Sequence, residues 1–213
     1  HANIHIAYIA PNIKGVVTPE ALKTAITPET LLVSVMMSNN EIGTIQPIQQ
    51  LAEEAHKHGA FFHTDAVQCV GHLPVDVKAL DVDMLSASAH KFNGPKGIGF
   101  MYIKENNRIK PILTGGGQEI GIRSGTENTP GIYGLGEAVR IINEDLDNKI
   151  EKIKSLRDLL KNEIINNIDD LKVWAHGPLN GTINRENENK VAFQVESLPI
   201  NTFLEIRIVT STE

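Results

Sequence analysis

Residues 86–97 read Ser-Ala-Ser-Ala-His-Lys-Phe-Asn-Gly-Pro-Lys-Gly, and the fold class is decided around this stretch. The apolar pair Met84 and Leu85 leads into it and the apolar run 98–103 follows it, so a polar segment broken by glycine lies between two predicted strands. α/β proteins commonly carry functional residues on such loops. Lys91 is therefore a candidate functional residue, although a His-Lys pair in a turn is also typical of an ordinary solvated loop.

Strands and helices alternate on the amino-terminal side of this loop. The continuous apolar run 31–37 predicts a strand buried on both faces, as in a parallel sheet. Pro47 begins a helix with apolar residues three or four positions apart, and Gly59 closes it. Further strands are predicted over 60–64 and 82–89, with short connections. The alternation predicts an α/β protein with a doubly wound, mainly parallel sheet.

The carboxyl-terminal side predicts a change of architecture. A strand over 97–104 precedes a polar loop that contains three consecutive glycines, which fit either a close backbone approach or a surface turn. Apolar residues then recur at helical spacing over 129–168, as one long connecting helix or two in succession. We expect residues 1–128 to form an incomplete large domain and residues 169–213 to form a partial small α+β domain.

Composition limits the classes of function. The chain has 213 residues, of which 41% are hydrophobic and 22% charged, so it can bury a core. Its net charge is −6 and no basic cluster is interleaved with aromatic residues, so nucleic acid is not an expected partner. No apolar run is long enough to span a membrane and no signal peptide opens the sequence, which predicts a cytoplasmic protein.

Both ends of the sequence predict a fragment. The chain starts with His1 rather than methionine and enters an alternating, strand-like pattern at once, and the last residues are also strand-like. Cys69 is the only cysteine, so neither an intrachain disulfide nor a multi-cysteine metal site is expected.

Polar residues follow three predicted strands at their carboxyl ends, where α/β sheets bind ligands. A lysine amine can form an imine with an aldehyde, and an aspartate can keep a pyridinium nitrogen protonated. Amides suit a ring oxygen, while serine and histidine suit a phosphate. These are the partners that pyridoxal 5'-phosphate requires, and the candidates are Asn40, Asp65, Gln68, Ser88, His90 and Lys91.

Other interpretations of the same residues stay open. Asp65 could cap a strand end, Gln68 could be a surface residue and Asn40 a turn former. His56 and His58 lie two positions apart and face different sides of their helix, so a metal site is not expected. Cys69 could be a nucleophile, but a small buried apolar role suits it better.

The polar motifs together resemble the group I cysteine desulfurases of the nitrogen-fixation and iron–sulfur-cluster type, which belong to the class V aminotransferase superfamily. The motifs occur in the family's order and spacing, and the resemblance extends from about residue 5 to about residue 165. The segments that carry it are 38–43, 63–68, 88–91 with 94–99, and 115–119 with 123–128.

The resemblance implies a fold-type-I enzyme that depends on pyridoxal 5'-phosphate. Lys91 would be the Schiff-base lysine, and Asp65 the partner of the pyridinium nitrogen. Asn40 and Gln68 would address the ring oxygen, and Ser88 and His90 the phosphate. Thr126 would reach the phosphate of the other subunit in a homodimer. Members of the family take sulfur from L-cysteine, leave alanine, and pass the resulting persulfide to an iron–sulfur scaffold or another acceptor protein.

The sequence also departs from this family. Family members are longer, and their phosphate loop and ring-stacking histidine would lie before His1. Their sulfur-accepting cysteine is in a loop that this sequence does not show, and Cys69 belongs to a different motif. Selenocysteine lyase, which shares the cofactor chemistry, and a truncated, non-catalytic homologue that acts by dimerisation or docking are therefore alternatives.

Overall fold

The computed structural model describes residues 4–105 and 109–167, together with two short strands at 183–187 and 190–193. Its main sheet has four strands in the order β1-β2-β3-β4. β1 pairs with β2 and β2 with β3 in parallel, and β4 runs antiparallel to β3. The predicted mainly parallel sheet is confirmed in these residues. The strand bounds are β1 Leu32–Met36, β2 Phe61–Asp65, β3 Met84–Ser88 and β4 Gly99–Ile103.

The helices begin and end close to their sequence signals. Thr18 caps the first helix, because its hydroxyl oxygen accepts a hydrogen bond from the Ala21 N–H at 3.2 Å. The second helix ends before Gly59, whose φ is +76°. The bounds are α1 Pro19–Ala25, α2 Ile48–Lys57, α3 Val77–Leu80 and α4 Thr129–Asn167, with 3₁₀ turns at Ala89–Phe92 and Glu119–Gly121.

The described helices α1, α2 and α3 cover one face of the sheet. Leu51 and Ala55 of α2 are fully buried in one apolar cluster with Phe62 of β2. Along β1 the burial alternates, so that Val33 is buried while Leu32 is 48% exposed. The prediction that this strand is buried on both faces is therefore wrong for the described residues, because no described helix covers the second face.

α4 packs against the loop that follows β3. Its residues Ala138 and Ile142 contact Phe92, which is fully buried. Asp145 has non-helical angles of φ −143° and ψ 26°, so two helical segments meet there. Of the two alternatives that the sequence allowed, one long helix or two in succession, the second describes α4. No helix of the described residues is long and apolar enough to cross a membrane.

The carboxyl-terminal region contributes two described strands, β5 Ile183–Asn187 and β6 Lys190–Phe193, which pair antiparallel. β6 overlaps a strand-like segment predicted over 191–195. The other strand-like segments, 173–175 and 203–209, lie outside the described residues.

Candidate active site

The loop after β3 presents His90 and Lys91 to solvent. Ala89 and Phe92, on either side of this pair, are fully buried and anchor the 3₁₀ turn. The turn is closed by hydrogen bonds from the Ala89 N–H to the Ile98 carbonyl at 3.1 Å and from the Gly94 N–H to the Ala89 carbonyl at 2.8 Å. These two buried residues thus fix the backbone on either side of His90 and Lys91, whose side chains are exposed.

Hydrogen bonds of the Ser88 and His72 side chains also stabilise the loop after β3. Ser88 Oγ lies 2.8 Å from His90 Nδ1, so the hydroxyl and the imidazole form one polar pair at the end of β3. His72, from the loop after β2, lies with Nε2 2.7 Å from the backbone carbonyl oxygen of Lys91. A carbonyl oxygen only accepts, so Nε2 carries the hydrogen.

The loop after β2 orients Asp65. The Val67 N–H donates to Asp65 Oδ1 at 2.9 Å, while Oδ2 makes no hydrogen bond to a described residue. The Met37 N–H donates to the Asp65 carbonyl at 2.8 Å, and the next residue, Ala66, donates to the Ser86 carbonyl at 2.9 Å. The carboxylate therefore has a fixed backbone and one oxygen available to a ligand. Gln68 is half-buried in the turn that follows.

Cys69 follows directly in the same turn. Its side chain is fully buried, and burial raises the pKa of its thiol to about 12. The expectation of a small buried residue is confirmed. At neutral pH this thiol is protonated, and a protonated thiol is a poor nucleophile.

The loop after β1 presents Asn40. Asn39 Oδ1 accepts hydrogen bonds from the N–H groups of Glu41 and Ile42 at 2.8 and 2.9 Å, which makes a tight polar turn. Asn40 lies exposed on this turn, where its Nδ2 donates to Glu41 Oε1 at 3.2 Å.

The three loops lie at one edge of the sheet, because β1, β2 and β3 are adjacent and parallel. Six of the seven candidate residues lie at or just beyond these strand ends: Asn40, Asp65, Gln68, Ser88, His90 and Lys91. Thr126 is exposed in the loop before α4, and no hydrogen bond between described residues joins it to them. This edge offers an exposed amine, a carboxylate with an available oxygen and a hydroxyl–imidazole pair, which fits the chemistry of pyridoxal 5'-phosphate.

The sequence analysis missed one polar feature of the site, a side-chain bridge through His63 that lies beneath Asp65. His63 lies 2.8 Å through Nδ1 from Ser34 Oγ on β1 and 3.2 Å through Nε2 from Ser86 Oγ on β3. Burial lowers the pKa of His63, against the opposing effect of the nearby Asp65 carboxylate. A signal was present in the sequence: Ser34 and Ser86 each lie at the centre of a strand among apolar residues, and His63 lies at the centre of the strand between them.

The remaining histidines near this sheet have separate partners. His56 Nε2 lies 2.8 Å from Asp83 Oδ2, and His58 Nδ1 lies 3.0 Å from the Glu54 carbonyl. His56 and His58 thus face different sides of α2, as their spacing predicts.

The fold and the site define an α/β domain whose ligand site lies beyond the carboxyl ends of a parallel sheet. The sequence pattern of the family described as Aminotransferase class-V matches residues 1–205. The chain belongs to this family, whose members use pyridoxal 5'-phosphate, and the fold-type-I assignment is confirmed.

Relatives within the family carry one recurring name. The chain is 44% identical over 201 residues to the cysteine desulfurase IscS of Dictyoglomus turgidum, and the matched region covers 94% of this chain and 50% of that protein. It is 49% identical over 163 residues to the cysteine desulfurase IscS of Ehrlichia chaffeensis, and the matched region covers 75% of this chain and 40% of that protein. The chain thus spans about half the length of the curated relatives it matches.

Solved structures agree with this assignment. A NifS-like protein superposes with a TM-score of 0.74 at 36% identity, over 97% of this chain and 49% of that one. A structure described as SspA in complex with cysteine superposes with a TM-score of 0.63 at 43% identity, over 65% of this chain and 40% of that one.

Proposed function

We propose that this chain carries the cofactor-binding part of a pyridoxal-phosphate-dependent cysteine desulfurase, which removes sulfur from L-cysteine for iron–sulfur cluster assembly. The observation that carries the proposal is the position of Asp65 and Lys91 at the ends of two adjacent parallel strands. The identity of 44% to a named cysteine desulfurase over 94% of the chain supports the same activity.

Each candidate residue has one role in this proposal. Lys91 holds the cofactor aldehyde covalently, and Asp65 Oδ2 accepts a hydrogen bond from the protonated ring nitrogen. Asn40 and Gln68 bind the ring oxygen, and Ser88 with His90 binds the phosphate. When bound, the cofactor supplies an electron-accepting ring. The hydrogen bond from Val67 supports the role of Asp65, because it keeps one carboxylate oxygen oriented while the other stays available.

The partners and the domain organisation are part of the proposal. We infer a homodimer in which Thr126 reaches the phosphate of the second subunit, and an iron–sulfur scaffold or other acceptor protein that takes the sulfur. The exposure of Thr126 and its loop supports the first inference. Residues 1–128 would form the cofactor-binding large domain, 129–168 the connecting helix and 169–213 part of the small domain.

A covalent-labelling experiment tests cofactor binding. The 213-residue chain is mixed with pyridoxal 5'-phosphate, reduced with borohydride, digested and mapped by mass spectrometry. We expect the pyridoxyl adduct on Lys91 and its loss in Lys91→Ala. Lys96→Ala is the matched control, because Lys96 is an exposed lysine of the same loop and should leave the labelling of Lys91 unchanged. Equal labelling of Lys91 and Lys96 in the wild-type chain would contradict the proposal.

Formation of alanine from L-cysteine in the presence of a thiol reductant tests the activity itself. The buried thiol of Cys69 favours a second candidate function, that of a non-catalytic homologue that docks onto a complete desulfurase. Alanine formed by the wild-type chain and lost in Lys91→Ala would exclude that alternative. Selenocysteine lyase, the other alternative, is tested by offering selenocysteine and cysteine in competition.

A further inference from the structure

His63 joins three strands of the sheet through its side chain. Its two ring nitrogens lie 2.8 Å from Ser34 Oγ and 3.2 Å from Ser86 Oγ, so both are engaged by hydroxyl groups of the flanking strands. Ser34 is opposite His63 in the parallel register of β1 and β2. A neutral imidazole fits this arrangement, because one nitrogen accepts from a hydroxyl and the other donates to one.

Asp65 lies two residues further along β2 and therefore on the same face of the sheet, about 7 Å away at the usual rise of a strand. The other residues of this face in β1, β3 and β4 carry no charge, so Asp65 is its only charged residue among the described strands. The uncharged residues of β1, β3 and β4 on this face are Leu32, Ser34, Met36, Met84, Ser86, Ser88, Gly99, Met101 and Ile103.

The charge of the imidazole matters to the carboxylate. A protonated His63 would attract the Asp65 carboxylate and, by electrostatic repulsion, would lower the proton affinity of a ring nitrogen bound to it. Burial opposes that protonation and lowers the pKa of His63. The half-buried ring and its two hydroxyl partners thus favour a neutral group beneath the carboxylate.

We propose that His63 is a positioning residue: held between Ser34 and Ser86, its neutral imidazole keeps positive charge away from Asp65, so that Asp65 remains the partner of the cofactor's ring nitrogen. This inference rests on the proposed function. It adds to that function a residue that touches neither substrate nor cofactor and acts through Asp65.

The first measurement uses the chain without cofactor. Nitrogen-15 NMR of the histidine rings at pH 7 should show His63 as one neutral tautomer, and a titration should protonate it only below the ordinary value of about 6.5. A cationic His63 at pH 7, or a rapid mixture of both tautomers, would overturn the inference, whether or not the cofactor binds.

The second measurement follows the ring nitrogen of nitrogen-15-labelled pyridoxal 5'-phosphate bound to the chain. His63→Gln, which is neutral and can form both hydrogen bonds, should leave the pH at which this nitrogen loses its proton unchanged. His63→Lys should lower its proton affinity several-fold, because it places a unit charge about 7 Å from Asp65 and the ring nitrogen lies just beyond that carboxylate. His58→Lys, on the far end of α2, is the matched control for the change in net charge.

The outcomes separate the two proposals. A wild-type chain with no bound-ring signal would overturn the proposed function, and with it the role of His63. A bound ring that titrates alike in the wild-type chain and in His63→Lys would overturn the inference alone. If His63 were merely a packing residue, Gln and Lys would disturb the ring nitrogen equally, so a shift confined to Lys supports the electrostatic role.

Discussion

The imidazole of His72 donates a hydrogen bond through Nε2 to the backbone carbonyl of Lys91 at 2.7 Å. The two residues belong to different loops, one after β2 and one after β3, so this bond ties the loop that carries Asp65 to the loop that carries Lys91. The peptide group of Lys91 is thereby fixed from outside its own turn.

The substitution His72→Ala should loosen this attachment. One hydrogen bond contributes about 1 kcal/mol, so we expect the dissociation constant for pyridoxal 5'-phosphate to rise about fivefold. A fluorescence titration of the purified chain measures it. His58→Ala, which removes a histidine on the surface of α2, should leave the constant unchanged. Equal constants for the wild-type chain and His72→Ala would show that the turn holds Lys91 without His72.

The sequence predicts much of this site because short-range patterns determine it. Asp65 ends one strand and Lys91 follows the next, and the rule that parallel strand ends share one edge is enough to bring them together. The contacts of His63 and His72 could not be predicted in this way. Their partners lie 29, 23 and 19 residues away in sequence, and only the strand register and the loop conformations bring them into contact.

The fold shows the same division. Pro47, Gly59 and the apolar spacing between them predict α2, and the apolar runs predict the four main strands, to within a few residues. The one-sided burial of β1 could not be predicted, because an apolar run of this length is compatible with one covered face or two. The kink at Asp145 could not be predicted for a similar reason, since the apolar spacing continues on both sides of it.

Gly99 is required where β4 begins beside the end of β3. A Cβ atom at this position would lie 2.5 Å from the Ala87 carbonyl oxygen, closer than the backbone permits. We expect Gly99→Ala to lower the free energy of unfolding by about 1–3 kcal/mol, as overpacking does elsewhere. It should also disturb Ser88, which pairs with Gly99 across the two strands. Urea denaturation followed by circular dichroism measures the stability.

Gly136 is the control for that substitution. It lies inside α4, and a Cβ atom there would meet nothing within 4 Å. Gly136→Ala should therefore raise the free energy of unfolding by about 0.5–1 kcal/mol, because alanine is the better helix former. Equal destabilisation by both substitutions would contradict the steric explanation for Gly99.

Asp83 supports the other end of the sheet. Its Oδ2 accepts hydrogen bonds from the Phe62 N–H at 2.8 Å and from His56 Nε2 at 2.8 Å, and the residue is only 6% exposed. Asp83→Ala leaves a buried N–H unpaired, so we expect the free energy of unfolding to fall by about 2–4 kcal/mol. The measurement is again urea denaturation at pH 7.

Asp81 provides the comparison, because it also contacts His56, at 3.4 Å, but its side chain is 54% exposed. Asp81→Asn should lower the free energy of unfolding by less than about 1 kcal/mol. A hydrogen bond from Lys104 lowers the pKa of the Asp81 carboxyl, so its small contribution is present above the ordinary pKa and is lost as the pH falls through the lowered value. If Asp81→Asn and Asp83→Ala lowered the free energy of unfolding equally, burial would not explain the contribution of Asp83.

Cys69 should be inert in the folded chain. Its side chain is fully buried and its thiol has a pKa raised to about 12, so neither access nor charge favours attack by or on the sulfur. We expect Ellman's reagent at pH 8 to label native Cys69 at least about a hundredfold more slowly than the chain unfolded in guanidinium, because labelling then requires opening of the fold. Native labelling as fast as that of the unfolded chain would contradict the burial. It would also restore Cys69 as a candidate sulfur acceptor, whereas slow labelling leaves sulfur transfer dependent on a thiol other than Cys69.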